Sequence, residues 1–156
     1  MSTADIDRLI AERSLERFEF SDGEIAGFWL KAVTSFTDAG EPNLSPEATL
    51  QLAYTAGLQA TFAALAAAGL RVRSSASHYK AFYALQRLGH DKLRTFATRM
   101  DDLRQLRHQS VYEPIEDDAN AAAGAAEARA MLEAMLPDVK AWLVRQRPEL
   151  DGVLDA

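Results

Sequence analysis

The apolar residues of this chain recur at steps of three and four rather than two, which predicts helices throughout. The clearest case begins at Ser21. The run S-D-G-E places Glu24 three residues after Ser21, the spacing at which hydroxyl and carboxylate cap each other's amides. A helix is expected from there, with Ile25, Phe28, Trp29, Ala32, Val33 and Phe36 on one side, stopping near Ala39-Gly40. The loop GEPNLS follows. Ser45 then caps a third helix with Pro46 in its first turn, where a missing amide costs nothing. That helix is expected to reach Gly69, roughly 35 Å at 1.5 Å per residue. Small residues on several of its faces, among them Ala53, Ala56, Gly57, Ala60, Ala63, Ala64 and Ala67, predict a central helix that its neighbours approach closely.

Elsewhere the pattern is shorter or broken. A first helix is expected over Ala4 to Arg13, after which SLERFEF alternates for a few residues and fits either an extended linker or a helix continuation. Leu70 to Ser77 reads as a basic, serine-rich turn, and a fourth helix as His78 to Leu88, ending at Gly89. Asp91 is placed to cap a fifth, whose Leu93, Phe96, Met100 and Leu103 form an a/d stripe aimed at a neighbour. YEPIEDD interrupts the pattern. A last helix from about Asn120 carries Met131, Leu132, Met135 and Leu136, and Pro137 is expected to kink it or to split off a closing helix with Val139, Trp142 and Leu143. With no internal repeat, the expected fold is all-α, an antiparallel up-and-down helical bundle of about five main helices in a single domain.

Composition narrows the chemistry. The 156 residues are 48% apolar and 26% charged, a globular balance rather than a disordered one. With no cysteine and three His, disulfides, thiolate nucleophiles and zinc-thiolate sites are excluded, and neither a metal nor a cofactor is expected. No apolar run is long enough for a membrane span, and residues 1 to 30 lack the pattern of a signal peptide, so no membrane partner and a cytoplasmic location are expected. The net charge of -6 conceals a split. Residues 71 to 108 carry nine basic and three acidic side chains, a local charge of +6 against -12 for the remainder. Two readings fit: helices of opposite charge that neutralise each other, or a patch for an anionic partner.

Glycine-rich phosphate loops, H-E-x-x-H, G-x-S-x-G and paired di-metal motifs are all missing from the sequence. Asp101-Asp102 and Glu116-Asp117-Asp118 are explained by a solvated helix face and a helix N-cap. The unusual place is LRQLRHQSVYEP at the end of the fifth helix. Arg107 occupies the next position of the apolar stripe, and a buried guanidinium needs partners. Arg104 lies about 60° from it around the helix, with His108 and Tyr112 following Arg104 at i+4 steps. Arg104, Arg107 and His108 can simply complement the negative end of the helix dipole, with Tyr112 packed at the rim. Alternatively they form a phosphate site, in which arginine binds bidentately and an imidazole or phenol moves a proton.

LRQLRHQSVYEP, preceded by LAYTAGLQATFAALAAAGLRV and by the loop with His78, resembles the HEPN superfamily of small helical proteins from prokaryotic toxin-antitoxin and defence systems. The resemblance covers about residues 21 to 147 and implies one HEPN-like domain over 1 to 156, with residues 1 to 20 as an N-terminal extension. The family's motif is an arginine, four to six residues, then a histidine, near a helix end at a homodimer interface. Active members are metal-independent ribonucleases, and others are partners of minimal nucleotidyltransferases. Arg107 matches the motif arginine. Tyr112 stands where the histidine belongs, and a phenol with a pKa near 10 is a poor base at neutral pH. Arg73-Ser-Ser-Ala-Ser-His78 repeats the spacing, but before the wrong helix, so His78 is read as a first-turn or surface residue and His90 as a turn residue.

The leading expectation is a homodimeric binding component of a toxin-antitoxin or nucleotidyltransferase-linked system, with an antitoxin, a nucleotidyltransferase or RNA as partner and a degenerate Arg-x-x-x-x-Tyr motif. A metal-independent endoribonuclease is the alternative, with Arg107 stabilising the phosphorane and His108 as acid-base. The third is a structural or regulatory bundle whose basic segment is neutralised by its own acidic helices. Candidate catalytic residues are Arg107, His108 and Tyr112, and candidate nucleic-acid-binding residues are Arg99, Arg104 and Arg107.

Overall fold

Capping and burial set the helix boundaries. The computed structural model describes residues 3–114 and 118–154, and over them the chain is mostly helical. Six α-helices stand where about five main ones were expected: α1 Thr3–Ala11, α2 Asp22–Asp38, α3 Pro46–Ala67, α4 His78–Gln86, α5 Asp91–Tyr112 and α6 Asp118–Gln146. A short 3-10 turn, Pro148–Leu150, follows α6. Among the described residues no helix is long and apolar enough to cross a membrane.

The reciprocal cap of α2 forms, with Ser21 Oγ accepting from the Glu24 amide at 3.1 Å and the Ser21 amide donating to the Glu24 carboxylate at 3.0 Å. Ile25, Trp29 and Ala32 are buried as the stripe predicts, whereas Val33 is exposed. Val33 lies about 80° from Ile25 around the helix, at the edge of the stripe rather than in it. Ser45 caps α3 by accepting from the Ala48 amide at 3.2 Å.

Helix α3 is the axis of the fold, packing against α2, α4, α5 and α6. Ala53, Ala56, Ala60, Ala63 and Ala64 form one small-residue face that a neighbour can approach closely, while Tyr54, Leu58, Leu65 and Ala66 are buried on other sides of the same helix. Gly57 marks the closest approach. A Cβ there would fall inside the Met100 thioether of α5, so only glycine lets that side chain lie against the helix. The stripe of α5 meets this surface, with Leu93, Phe96, Met100 and Leu103 all buried.

Three local features depart from the expectation. SLERFEF contains a strand, β1 Leu15–Arg17, and the serine-rich turn opens with another, β2 Leu70–Val72; the two pair antiparallel with Glu16 opposite Arg71. Gly69, at φ +78, turns the chain out of α3 into β2, which gives the short alternation of β1 a partner. Asp91 does not cap α5. His90 occupies the N-cap without a side-chain cap bond, and Asp91 pairs with Arg94 at 3.3 Å instead. Pro137 does not split the last helix, because α6 runs through it. Glu133 and Pro137 are both exposed, so the carbonyl deprived of its amide partner is open to water.

The first residues pack onto the rest. Ile6, Leu9 and Leu15 form a second apolar cluster with Leu65, Leu70, Ala81 and Ala84. At the other end Arg147 ties the chain to the start of α2, donating to the Phe20 carbonyl at 2.8 Å and to Asp22 at 3.1 Å. These contacts leave α3, α4 and the end of α5 meeting at one corner.

Candidate functional site

Where the stripe of α5 passes Leu103, its next position holds Arg107, which is half-buried. Its Nε donates to the Gln51 Oε1 at 2.7 Å, and its guanidinium carbon lies 4.9 Å from the centre of the Tyr54 ring. The partner that sequence demanded is thus an amide and a π face, both from α3. Among the described residues no carboxylate lies within ion-pair distance of Arg107. A half-buried cation whose partners among the described residues are neutral is favourable for an anion from outside.

The phenol of Tyr54 is buried, and its oxygen lies 2.6 Å from Nδ1 of His78, the first residue of α4. Burial raises the Tyr54 pKa to about 12, with Arg107 and Arg104 opposing the rise and Asp101 adding to it. Burial, and then the cations of Arg107 and Arg104, hold His78 below the usual imidazole value. At neutral pH both groups are therefore uncharged, with the phenol protonated. The phenol has no other acceptor among the described residues, so we assign Tyr54 as donor to Nδ1. That assignment puts the ring proton of His78 on Nε2, at the exposed edge of the corner.

Arg104 completes the cluster. Its Nε pairs with Asp101 at 2.8 Å, and its guanidinium carbon lies 5.6 Å from the Tyr79 ring centre, on α4. The corner thus brings together Gln51 and Tyr54 of α3, His78 and Tyr79 of α4, and Arg104 and Arg107 of α5, with each guanidinium over a tyrosine ring. These groups can hold an anion with two guanidiniums and place a neutral imidazole beside it.

The other sequence candidates lie elsewhere. His108 and Tyr112 stack on each other, ring centres 4.6 Å apart, and both are exposed, Tyr112 to 74%. They stand on the outer side of α5, turned away from the face that carries Arg107. Arg99 lines a small groove between α5 and α6 with Asp102 and Glu127. Glu116 and Asp117 lie outside the described residues, and Asp118 begins α6. A larger groove of about 250 Å³, with Leu50, Leu106, Ser110 and Gly124 in its lining, lies on the next face of α5 and does not include Arg107.

The charge split resolves in two ways at once. Six of the nine cations face carboxylates in the first part of the basic segment: Arg71 and Arg73 on Glu16, Lys80 on Glu12, Arg87 on Asp5, Lys92 on Asp138 and Arg94 on Asp91. Arg73 is thereby engaged away from His78, and its spacing to that histidine has no structural counterpart. Toward the end of the segment only Arg104 has a carboxylate, while Arg99 and Arg107 have none among the described residues. His90 sits at the N-cap of α5, where Arg145 reaches its Nε2 at 2.9 Å.

Sequence reasoning missed Tyr54, His78, Gln51 and Tyr79. The one available signal was that Gln51 and Tyr54 stand three apart on α3, a pairing that gains meaning only once Arg107 lies against it. Compared with known proteins, the chain matches no family model, no curated protein and no solved structure.

Proposed function

We propose that the chain is a HEPN-like binding component of a prokaryotic toxin-antitoxin or nucleotidyltransferase-linked system, an antiparallel helical bundle that acts as a homodimer and meets the phosphate of an RNA or nucleotide at the Arg104–Arg107 corner. One observation carries the reading. Arg107 is a half-buried cation whose neighbours are an amide and an aromatic ring, with a second guanidinium and a neutral imidazole beside it. Such a cation gains most from an external anion, because no carboxylate among the described residues neutralises it. The exposed Leu106, Val111 and Tyr112 on the last turns of α5 supply apolar surface for a symmetric contact near the same end.

Binding of a short single-stranded RNA, measured across a salt series, tests this. Affinity should fall as salt rises, and Arg107→Ala should weaken binding and reduce the salt slope by about one. Salt-insensitive absence of binding would remove the reading.

A metal-independent endoribonuclease is the second reading, favoured by the lowered pKa of His78 next to two arginines. In that case the Tyr54–His78 bond runs the other way, with Nδ1–H donating to the phenol oxygen, so that His78 Nε2, not the outward-facing His108, takes the proton from the attacking 2′-hydroxyl and returns it to the departing 5′-oxygen, while Arg107 stabilises the phosphorane. RNA cleavage that persists in EDTA and is lost in both Arg107→Ala and His78→Ala distinguishes it. The ion pairs along the first part of the basic segment support the structural reading for that stretch alone.

A further inference from the structure

The donors at the corner differ in what they have left to give. Arg107 spends its Nε on Gln51, and Arg104 spends its Nε on Asp101, and the terminal nitrogens of both have no hydrogen-bond partner among the described residues. His78 spends Nδ1 on Tyr54 and has no partner at Nε2 among the described residues. Two guanidiniums from α5 and one imidazole from α4, near enough for the arginines to act on His78, thus keep N–H groups for a ligand.

The groups of the corner come from three helices. Tyr54 is buried and shares α3 with Gln51, while α4 brings Tyr79 under Arg104 of α5. An internal phosphodiester must enter and leave along the strand and offers two free oxygens, whereas a terminal phosphate enters end-on and offers three.

We propose that this corner is a phosphomonoester site, in which His78 Nε2–H joins Arg104 and Arg107 as the third donor and selects a terminal phosphate over an internal diester. The proposal rests on the phosphate-binding reading above and names the form of phosphate that site takes. Charge agrees with it. Asp101 offsets Arg104, so the named groups carry one net positive charge, from Arg107, which gains more from a monoester dianion than from a diester monoanion. The groups facing His78 are Tyr54 from α3 and Arg104 and Arg107 from α5, with Asp101 behind Arg104. None of these except Asp101 disfavours an anion. Tyr54 is a positioning residue, since its bond to Nδ1 fixes which nitrogen of His78 carries the outward proton.

The test compares two RNAs of one sequence, 3′-labelled, one with a 5′-phosphate and one with a 5′-hydroxyl, by fluorescence anisotropy at neutral pH and fixed salt. The 5′-phosphorylated RNA should bind about tenfold more tightly. His78→Ala should remove most of that preference while leaving weaker, salt-sensitive binding of both RNAs. Arg71→Ala, whose guanidinium is engaged by Glu16, should keep the preference. Adenosine monophosphate and inorganic phosphate, added as competitors, separate the sources: equal competition supports free phosphate as the occupant, and stronger competition by the nucleotide supports a nucleotide end. Equal binding of the two RNAs by the unaltered protein overturns this proposal and leaves the phosphate-binding reading standing. An unchanged preference in His78→Ala also overturns it. If neither RNA, nucleotide nor phosphate binds, both fall.

Discussion

The two halves of α5 use one helix for opposite ends. From Asp91 to Leu103 the stripe of Leu93, Phe96, Met100 and Leu103 is buried against α3 and its neighbours, and the cations Lys92 and Arg94 are matched by Asp138 and Asp91. From Arg104 to Tyr112 the same register brings Arg107 to the inner face, while Leu106, Val111 and Tyr112 are exposed. The first half contributes stability through apolar burial, and the second holds a charged group where burial makes it reactive toward an anion. A helix can do both because its register continues even when its residue types change.

Substitutions can break that division. The largest effect belongs to the first half. Phe96→Ala should cost about 3–5 kcal/mol in urea unfolding by leaving a cavity at the α5 core, yet leave whatever folded protein remains able to bind RNA. Next, Gly57→Ala should cost about 1–3 kcal/mol, because Met100 must move off the helix it lies against. A midpoint unchanged by that substitution would show that the thioether shifts freely.

For the second half the effect moves from stability to binding. Arg107→Ala should weaken RNA binding by about tenfold, near 1.4 kcal/mol, with a smaller stability change than Phe96→Ala. If unfolding shifts as far as it does for Phe96→Ala, the two halves are not distinct.

Smaller still is an effect on titration. The folded-state pKa of His78 lies below 6.5, so between that value and 6.5 the unfolded chain binds more protons, and stability declines as pH falls through this window. Burial is the main cause and Arg107 the next, so Arg107→Ala should raise the His78 pKa toward 6.5 in an NMR titration. Least of all, Arg94→Ala should change stability by under about 1 kcal/mol, as an exposed pair with Asp91 implies. A larger loss would mean that the paired cations of the first half do more than neutralise charge.

Much of the helical framework was legible because its signals are local. Ser21 with Glu24, Ser45 with Pro46, and the spacing from Leu93 to Leu103 each act within one or two turns. The alanines of α3 announced a helix crowded by neighbours, and Gly57 against Met100 is where that crowding is tightest. The β1–β2 pair was not legible, since Leu15 and Val72 are far apart in the chain and each strand is three residues long. Whether Pro137 kinks or splits α6 stayed open for another reason: whether a proline splits a helix depends on whether its freed carbonyl reaches water, which depends on the side of the helix that faces the core.

At the site, sequence alone singled out Arg107, because a cation on an apolar stripe is anomalous wherever the helix packs. It could also sum the charges of residues 71 to 108, but not say which were already matched. Only the tertiary structure decided that, by bringing Glu12, Glu16 and Asp5 against the first of them and, among the described residues, none against Arg107. It likewise decided that Tyr54 and His78, rather than His108 and Tyr112, share the corner with the arginines. The physical reason is direction. Spacing along a helix fixes which side chains share a face, but which face meets another helix depends on packing among segments distant in the chain.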